Sequence, residues 1–187
     1  MRALGRRLAT LLRAGDLVIL SGGLGAGKTT LIQGIGEGLG VRGPVTSPTF
    51  VIARVHPPLV AVVGASGPTG PGPALVHADA YRLGSSLELD DLDLDADTAT
   101  SVTVVEWGEG LAEGLAADRL EVTITPIAGG GPPELDDVHD PGGSESSDDS
   151  EAWDGLGGDS PRTVRISGTG ERWQDIKLPP ADLADRL

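Results

Sequence analysis

A glycine-rich stretch at residues 22–29 constrains this chain more than any other feature. It fits the pattern G-x-x-x-x-G-K-[ST] of the phosphate-binding P-loop, in which glycines permit a tight turn whose backbone N–H groups point at one polyphosphate. In such a loop the lysine reaches the β- and γ-phosphates and the last hydroxyl binds Mg²⁺. The candidate nucleotide-binding residues here are Gly22, Gly23, Leu24, Gly25, Ala26, Gly27, Lys28, Thr29 and the following Thr30.

The segments around the loop have the order that a P-loop requires, which is strand, loop and helix. Residues 17–20 form a short apolar run typical of a buried parallel strand, and residues 30–39 are compatible with a helix. Three glycines inside that helix each cost about 1 kcal/mol relative to alanine, so packing must hold it. Near the N-terminus, residues 2–12 place leucines on one helical face and predict a first helix with Gly15 as its stop.

Two further apolar runs are each followed directly by an acidic residue. Strands predicted at residues 75–78 and 102–105 end at Asp79 and Glu106, and the carboxyl ends of parallel strands meet at one edge of a sheet. Asp79 is a candidate Walker B residue beside the P-loop, and Glu106 a candidate for positioning or deprotonating the attacking water. Both carboxylates join Thr29 as candidate magnesium ligands, and which of the two contacts the ion directly stays open.

Other candidates have two interpretations each. Trp107 either stacks on the base and lines the nucleotide pocket, or covers the end of the sheet. The hydroxyls of Thr46, Ser47 and Thr49 either sense the γ-phosphate and Mg²⁺, or cap a proline-shaped turn. Arg82 either contacts phosphate or pairs with an acid.

Alternating strands at residues 120–124 and 163–166 predict an antiparallel extension of the sheet at the C-terminus. We therefore predict an α/β, P-loop NTPase-like three-layer fold with a mostly parallel sheet. The domain comprises residues 1–127 and 162–178. It carries a Pro/Gly-rich insertion at 56–73 and an acidic, low-complexity insertion at 128–161 that we expect to be disordered.

Composition narrows the functional classes. Cysteine is absent, which excludes disulfides and thiolate chemistry. Ten of the acidic residues and no basic residue fall in the segment 128–161, so the net charge of −14 belongs largely to that insertion and argues against direct DNA binding. No apolar run is long enough for a membrane helix and no signal peptide is evident, so we expect a soluble, cytoplasmic protein without membrane contact.

The ordered motifs resemble the TsaE (YjeE) family, the bacterial ATPases of tRNA threonylcarbamoyladenosine biosynthesis. The resemblance rests on the P-loop, on the Ser-Pro-Thr-Phe segment from Ser47, on Asp-x-Tyr-Arg-Leu from Asp79, and on Glu106 with Trp107. Gly23 departs from the acidic residue that is common in the family at its position.

The resemblance implies ATP and Mg²⁺ as cofactors and a weak ATPase activity. It places Ser47 and Thr49 in a switch-like loop, gives Lys28, Asp79 and Glu106 the catalytic roles, and places Trp107 near the nucleotide. It also implies a TsaB–TsaD complex as partner, with tRNA engaged only through that complex at the adenosine next to the anticodon.

Two alternatives stay open. The first is a small-molecule P-loop kinase, although such enzymes usually close an arginine-bearing lid over the phosphates and Arg82 is the sole basic residue between Arg54 and Arg119. The second is a scaffold that binds nucleotide without significant turnover. A GTPase would need the N-K-x-D motif, which is impossible because the chain lacks asparagine.

Overall fold

The structure is a computed structural model that describes residues 1–48, 50–59, 72–90, 98–127 and 161–180. Most of both predicted insertions, and Thr49, lie outside the described residues, so the predicted domain limits stay a prediction. Three short 3-10 turns lie at Thr98–Thr100, Glu113–Leu115 and Glu171–Trp173. The helices and strands are α1 (Arg2–Ala9), β1 (Leu17–Gly22), α2 (Lys28–Leu39), β2 (Ala53–His56), β3 (Ala74–Asp79), α3 (Ser86–Asp90), β4 (Ser101–Glu106), β5 (Arg119–Pro126) and β6 (Arg162–Thr169).

The described strands form one six-stranded sheet in the order β2-β3-β4-β1-β5-β6. The central strands β3, β4, β1 and β5 run parallel to one another, and β6 pairs antiparallel with β5, with Val122 opposite Ile166. This confirms the predicted mostly parallel sheet with its antiparallel C-terminal extension. The other edge strand, β2, also runs antiparallel, to β3, which the sequence analysis did not predict.

Side chains on the two faces of the sheet enter two separate cores, because successive residues of a strand point to opposite faces. On β1, Val18 and Leu20 join the core shared with α1 and α2, whereas Leu17 and Ile19 join the core on the other face. That second face is covered, among the described residues, by the short helix α3 and the turn near Ala112. The predicted three layers are present, and the third is thin.

Helices α1 and α2 pack so closely that glycine is required at their contact. A Cβ added at Gly34 would overlap the carbonyl oxygen of Arg2, and one added at Gly5 would overlap that of Leu31. The glycines that weaken α2 as an isolated helix are therefore what lets α1 lie against it. This contact explains how tertiary packing overrides the low helix propensity of α2.

Both helices differ from their predicted limits. Helix α1 ends at Ala9 rather than near Gly15, and the chain continues through a turn in which the N–H of Leu12 bonds the carbonyl of Ala9 at 3.2 Å. Helix α2 begins at Lys28, two residues before the predicted start, because the left-handed Gly27 (φ 101°) turns the loop directly into the helix. None of the helices in the described part of the chain is long and apolar enough to span a bilayer.

Candidate active site

The P-loop connects β1 to α2 and aims the start of the helix at a cavity. Gly22, Gly25 and Gly27 have φ values of 147°, 72° and 101°, a region of backbone conformation that favours glycine. The first N–H groups of a helix have no partner within the helix, so the N-terminus of α2 presents donors and a positive dipole end to this cavity. Such an end is suited to phosphate.

Lys28 brings a buried cation to the same place. Its ammonium donates hydrogen bonds to the carbonyls of Gly22 (2.8 Å) and Gly23 (3.0 Å) and lies 3.7 Å from the centroid of the Trp107 ring. Burial lowers the pKa of Lys28 from its ordinary value, while the carboxylates of Glu106 and Asp79 act in the opposite direction. Lys28 is 5% exposed, and the carboxylates beside it only partly offset the effect of burial on its pKa.

Glu106 is the carboxylate that lies directly beside the P-loop strand. Its β4 backbone is in register with Leu20 of β1, and its side chain is 4% exposed. The Thr29 hydroxyl donates to its Oε1 at 2.9 Å, and Nε2 of His77 lies 2.9 Å from the same oxygen. A hydroxyl and a carboxylate joined in this way are hard oxygen donors of the kind that Mg²⁺ prefers.

Asp79 lies one strand farther from the loop than the sequence analysis placed it, because β4 is inserted between β1 and β3. It is in register with Glu106, it is 5% exposed, and its Oδ1 accepts a hydrogen bond from the Tyr81 N–H at 3.0 Å. Both predicted carboxylates therefore reach one cavity, but Glu106 rather than Asp79 contacts the P-loop threonine.

Trp107 ends β4 with a left-handed backbone, φ 60°, and its N–H donates to the carbonyl of Leu20 at 2.9 Å. Its ring packs at a tilt against Tyr81, 5.2 Å between centroids. The side chain therefore lies both at the end of the sheet and at the cavity, over Lys28.

The Ser-Pro-Thr-Phe segment is only partly brought to the cavity. Ser47 lines it, Thr46 instead accepts a hydrogen bond from Arg54 at 2.7 Å, and Thr49 is outside the described residues. Phe50 projects outward, 87% exposed, with the guanidinium of Arg82 5.3 Å from its ring centroid. For Arg82, the structure thus shows a contact with Phe50 rather than a place in the cavity lining.

The cavity has a volume of about 430 Å³, which is room for a mononucleotide-sized ligand. Three residues that were not predicted from the sequence belong to this region: Met1 and Arg162 line the cavity, and His77 contacts Glu106. The predicted pairing of β5 with β6 could have revealed Arg162, which lies opposite Pro126. The lining residues are Met1, Leu24, Gly25, Ala26, Gly27, Lys28, Thr29, Thr30, Ser47, Asp79, Glu106, Trp107 and Arg162.

The donor set fits a nucleotide-bound magnesium ion better than a metal held by protein alone. Among the described residues, no cluster of three or more His, Cys, Asp or Glu side chains is arranged to hold an ion. Mg²⁺ is commonly bound by one or two carboxylates together with phosphate oxygens and water, and Thr29 with Glu106 and Asp79 offers that complement.

The chain is similar to several known proteins. A family model described as "Threonylcarbamoyl adenosine biosynthesis protein TsaE" matches residues 1–129. The tRNA threonylcarbamoyladenosine biosynthesis protein TsaE of Streptomyces coelicolor is 53% identical over 174 residues, which cover 92% of this chain and 93% of that protein. The protein of the same name from Mycobacterium bovis is 51% identical over 132 residues, 67% of this chain and 73% of its own. The crystal structure of Bacillus subtilis YdiB aligns with a TM-score of 0.49 and 31% identity, covering 68% of this chain and 71% of its own. The match to the family model and the identity to the Streptomyces coelicolor protein show that the chain belongs to the TsaE family.

Proposed function

We propose that this chain binds ATP with Mg²⁺ and hydrolyses it slowly, in support of threonylcarbamoyladenosine formation at the adenosine next to the tRNA anticodon. Support for the pathway comes from family membership and from the names of the relatives. The single observation that carries the chemistry is the hydrogen bond from Thr29 to Glu106, at the N-terminus of α2 and beside the buried Lys28.

Each residue has a role in this proposal that follows from its position. Lys28 and the N–H groups of the loop hold the β- and γ-phosphates. Thr29 and Glu106 hold the magnesium ion, which would neutralise charge that develops on the phosphates during hydrolysis. Asp79, on the far side of Glu106 from the loop, orients or deprotonates the attacking water.

The loop from Ser47 to the exposed Phe50 connects the cavity to the surface. Ser47 lines the cavity, and Phe50 and Val51 are exposed. A change in this loop on ATP turnover would alter the surface offered to a partner. We assign that partner as a TsaB–TsaD complex, on the family resemblance, with tRNA reached through it.

The test compares ATP binding and phosphate release in three variants. Lys28→Ala should abolish tight ATP binding, because the buried cation at the phosphates is lost. Glu106→Ala should still bind ATP through Lys28 and the loop, and should lose turnover by at least about 100-fold because a magnesium ligand is removed. Lys177→Ala is the matched control, since Lys177 is the other lysine of the chain and is exposed, and it should match wild type.

Undiminished ATP turnover by Lys28→Ala would contradict the P-loop assignment. Binding without turnover in the wild type would favour the scaffold, and phosphate transferred to a small acceptor would favour the kinase. A pull-down with ATP present tests the pathway: recovery of TsaB and TsaD supports it, and recovery of neither leaves only a generic ATPase.

A further inference from the structure

His77 is a buried polar residue to which the proposed mechanism gives no role. It lies in the middle of β3 with 0% exposure, two residues before Asp79. Strand alternation puts it on the same face of the sheet as Leu75 and Asp79, which is the face covered by α2. An imidazole in such a position costs desolvation unless it is hydrogen-bonded, so its partner is informative.

That partner is Glu106. Nε2 of His77 lies 2.9 Å from Glu106 Oε1. An ionised carboxylate can only accept hydrogen bonds, so the contact requires the proton on Nε2. The other ring nitrogen, Nδ1, is buried and has no hydrogen-bond partner among the described residues, so the contact through Nε2 is what fixes the ring there.

Two donors from different parts of the fold thus meet at one oxygen of Glu106. Thr29 belongs to the first turn of α2 and follows the P-loop, whereas His77 is fixed within the sheet. The histidine contact ties the carboxylate to the sheet whatever the loop does. A glutamate has several rotatable bonds, and a second fixed contact removes most of the freedom that a single hydrogen bond leaves.

We propose that His77 is a positioning residue that holds the Glu106 carboxylate in the orientation needed for magnesium-bound nucleotide. The inference rests on the proposed function, because it acts through the role assigned there to Glu106. It predicts that loss of the Nε2 donor weakens the binding of magnesium at the site and leaves the contacts of Lys28 with phosphate unchanged.

The experiment uses His77→Leu, which removes the donor, and His77→Gln, which offers an amide N–H close to the position of Nε2. The matched control is His56→Leu. His56 is also buried, on the neighbouring strand β2, and its Nε2 has no hydrogen-bond partner among the described residues. Thermal unfolding checks that every variant is folded.

We expect His77→Leu to lower kcat by about 10- to 100-fold, with little change in KM, as for other residues that orient a metal ligand. The magnesium concentration needed for tight binding of a non-hydrolysable ATP analogue should rise by a similar factor. His77→Gln should restore most of both, and His56→Leu should change stability without this selective loss. In a Glu106→Gln background, His77→Leu should leave the magnesium dependence unchanged, because the two residues act as one unit.

A spectroscopic reading keeps the proposal testable without turnover. The ring ¹⁵N resonances of His77 should show protonation at Nε2 in the wild type and should shift in Glu106→Gln, and protonation at Nδ1 alone would overturn the contact. If the wild type binds and hydrolyses ATP and His77→Leu has the same kcat and magnesium requirement, the positioning role is contradicted. Additive losses in the double variant would contradict it as well. A wild-type chain that neither binds nor hydrolyses ATP would instead overturn the proposed function.

Discussion

Strands β4 and β5 flank β1 on opposite sides, and both run parallel to it. On the β4 side, Glu106 is buried at the end of β4, and the next strand, β3, carries the buried His77 in its middle and Asp79 at its end. On the β5 side, the described residues of β5 and β6 bury no charged side chain, and Leu120, Val122 and Ile124 fill the core instead. Two strands that pair with β1 in the same parallel way thus lie beside buried charged groups on one side and apolar core side chains on the other.

The contrast indicates a division of labour within one sheet. Buried polar groups cost stability unless they are fully paired, so the β4 side, which carries the residues of the proposed function, is at an energetic disadvantage. Buried apolar side chains contribute roughly 1.5–3 kcal/mol each, so the β5 side offsets that cost. Substitutions on the two sides should therefore separate stability from activity.

The largest expected effect is on the β5 side. Ile124→Ala should lower the free energy of unfolding by about 2–5 kcal/mol, because it opens a cavity at a side chain that is 1% exposed. ATP affinity of the folded protein should not change. Urea unfolding measures the first quantity, with the exposed Thr125→Ala on the same strand as control, expected within about 0.5 kcal/mol of wild type. A loss of ATP affinity without a loss of stability would contradict the division.

The next largest expected effect is on the β4 side, and it is a loss of activity rather than of stability. Asp79→Asn should lower ATP turnover by about 100-fold, or about 2.7 kcal/mol, because the charge that acts on water is lost. The free energy of unfolding should change little, since asparagine keeps the Oδ1 acceptor for the Tyr81 N–H, and the loss of attraction to Lys28 is offset by the loss of repulsion from Glu106, which is in register on the adjacent strand. Phosphate release and urea unfolding on the same preparation decide the matter. A variant that is both active and less stable would assign Asp79 a structural role.

The features that could be predicted from the sequence are those that depend on a local pattern. Lys28, Asp79 and Glu106 were predictable because each is marked by a local pattern, a glycine-rich loop or the end of an apolar run. The order of the strands is not local: the insertion of β4 between β1 and β3 places Glu106, not Asp79, against Thr29. No periodicity within one strand contains that information.

Residues that depend on a distant partner were missed for the same physical reason. In the sequence, His77 has the pattern of a core residue in an apolar run. Only the pairing of β3 with β4 brings Glu106 to its ring. In the sequence, the glycines of α2 predict a weak helix. The structure shows that the backbone of α1 packs against Gly34, where a larger residue would not fit. Arg162 follows the acidic insertion by sequence, yet the register of β6 on β5 carries it to the cavity.

The smallest expected effect tests whether the β5 side contributes to the site at all. Arg162 is the first residue of β6, is partly exposed, and lines the cavity. Attraction between a partly exposed guanidinium and nucleotide phosphate is screened by water and is worth about 0.2–1 kcal/mol, so Arg162→Gln should raise the Kd for ATP by about 1.4- to 5-fold. Arg165→Gln is the matched control, because Arg165 is exposed on the same strand and lies outside the cavity lining that the described residues form. The difference between the two variants should shrink at high salt, as for any solvent-exposed charge pair. Equal Kd values for both variants at low salt would leave the β5 side purely structural, whereas a loss well above 5-fold would mean that Arg162 is desolvated by the nucleotide and belongs to the chemistry.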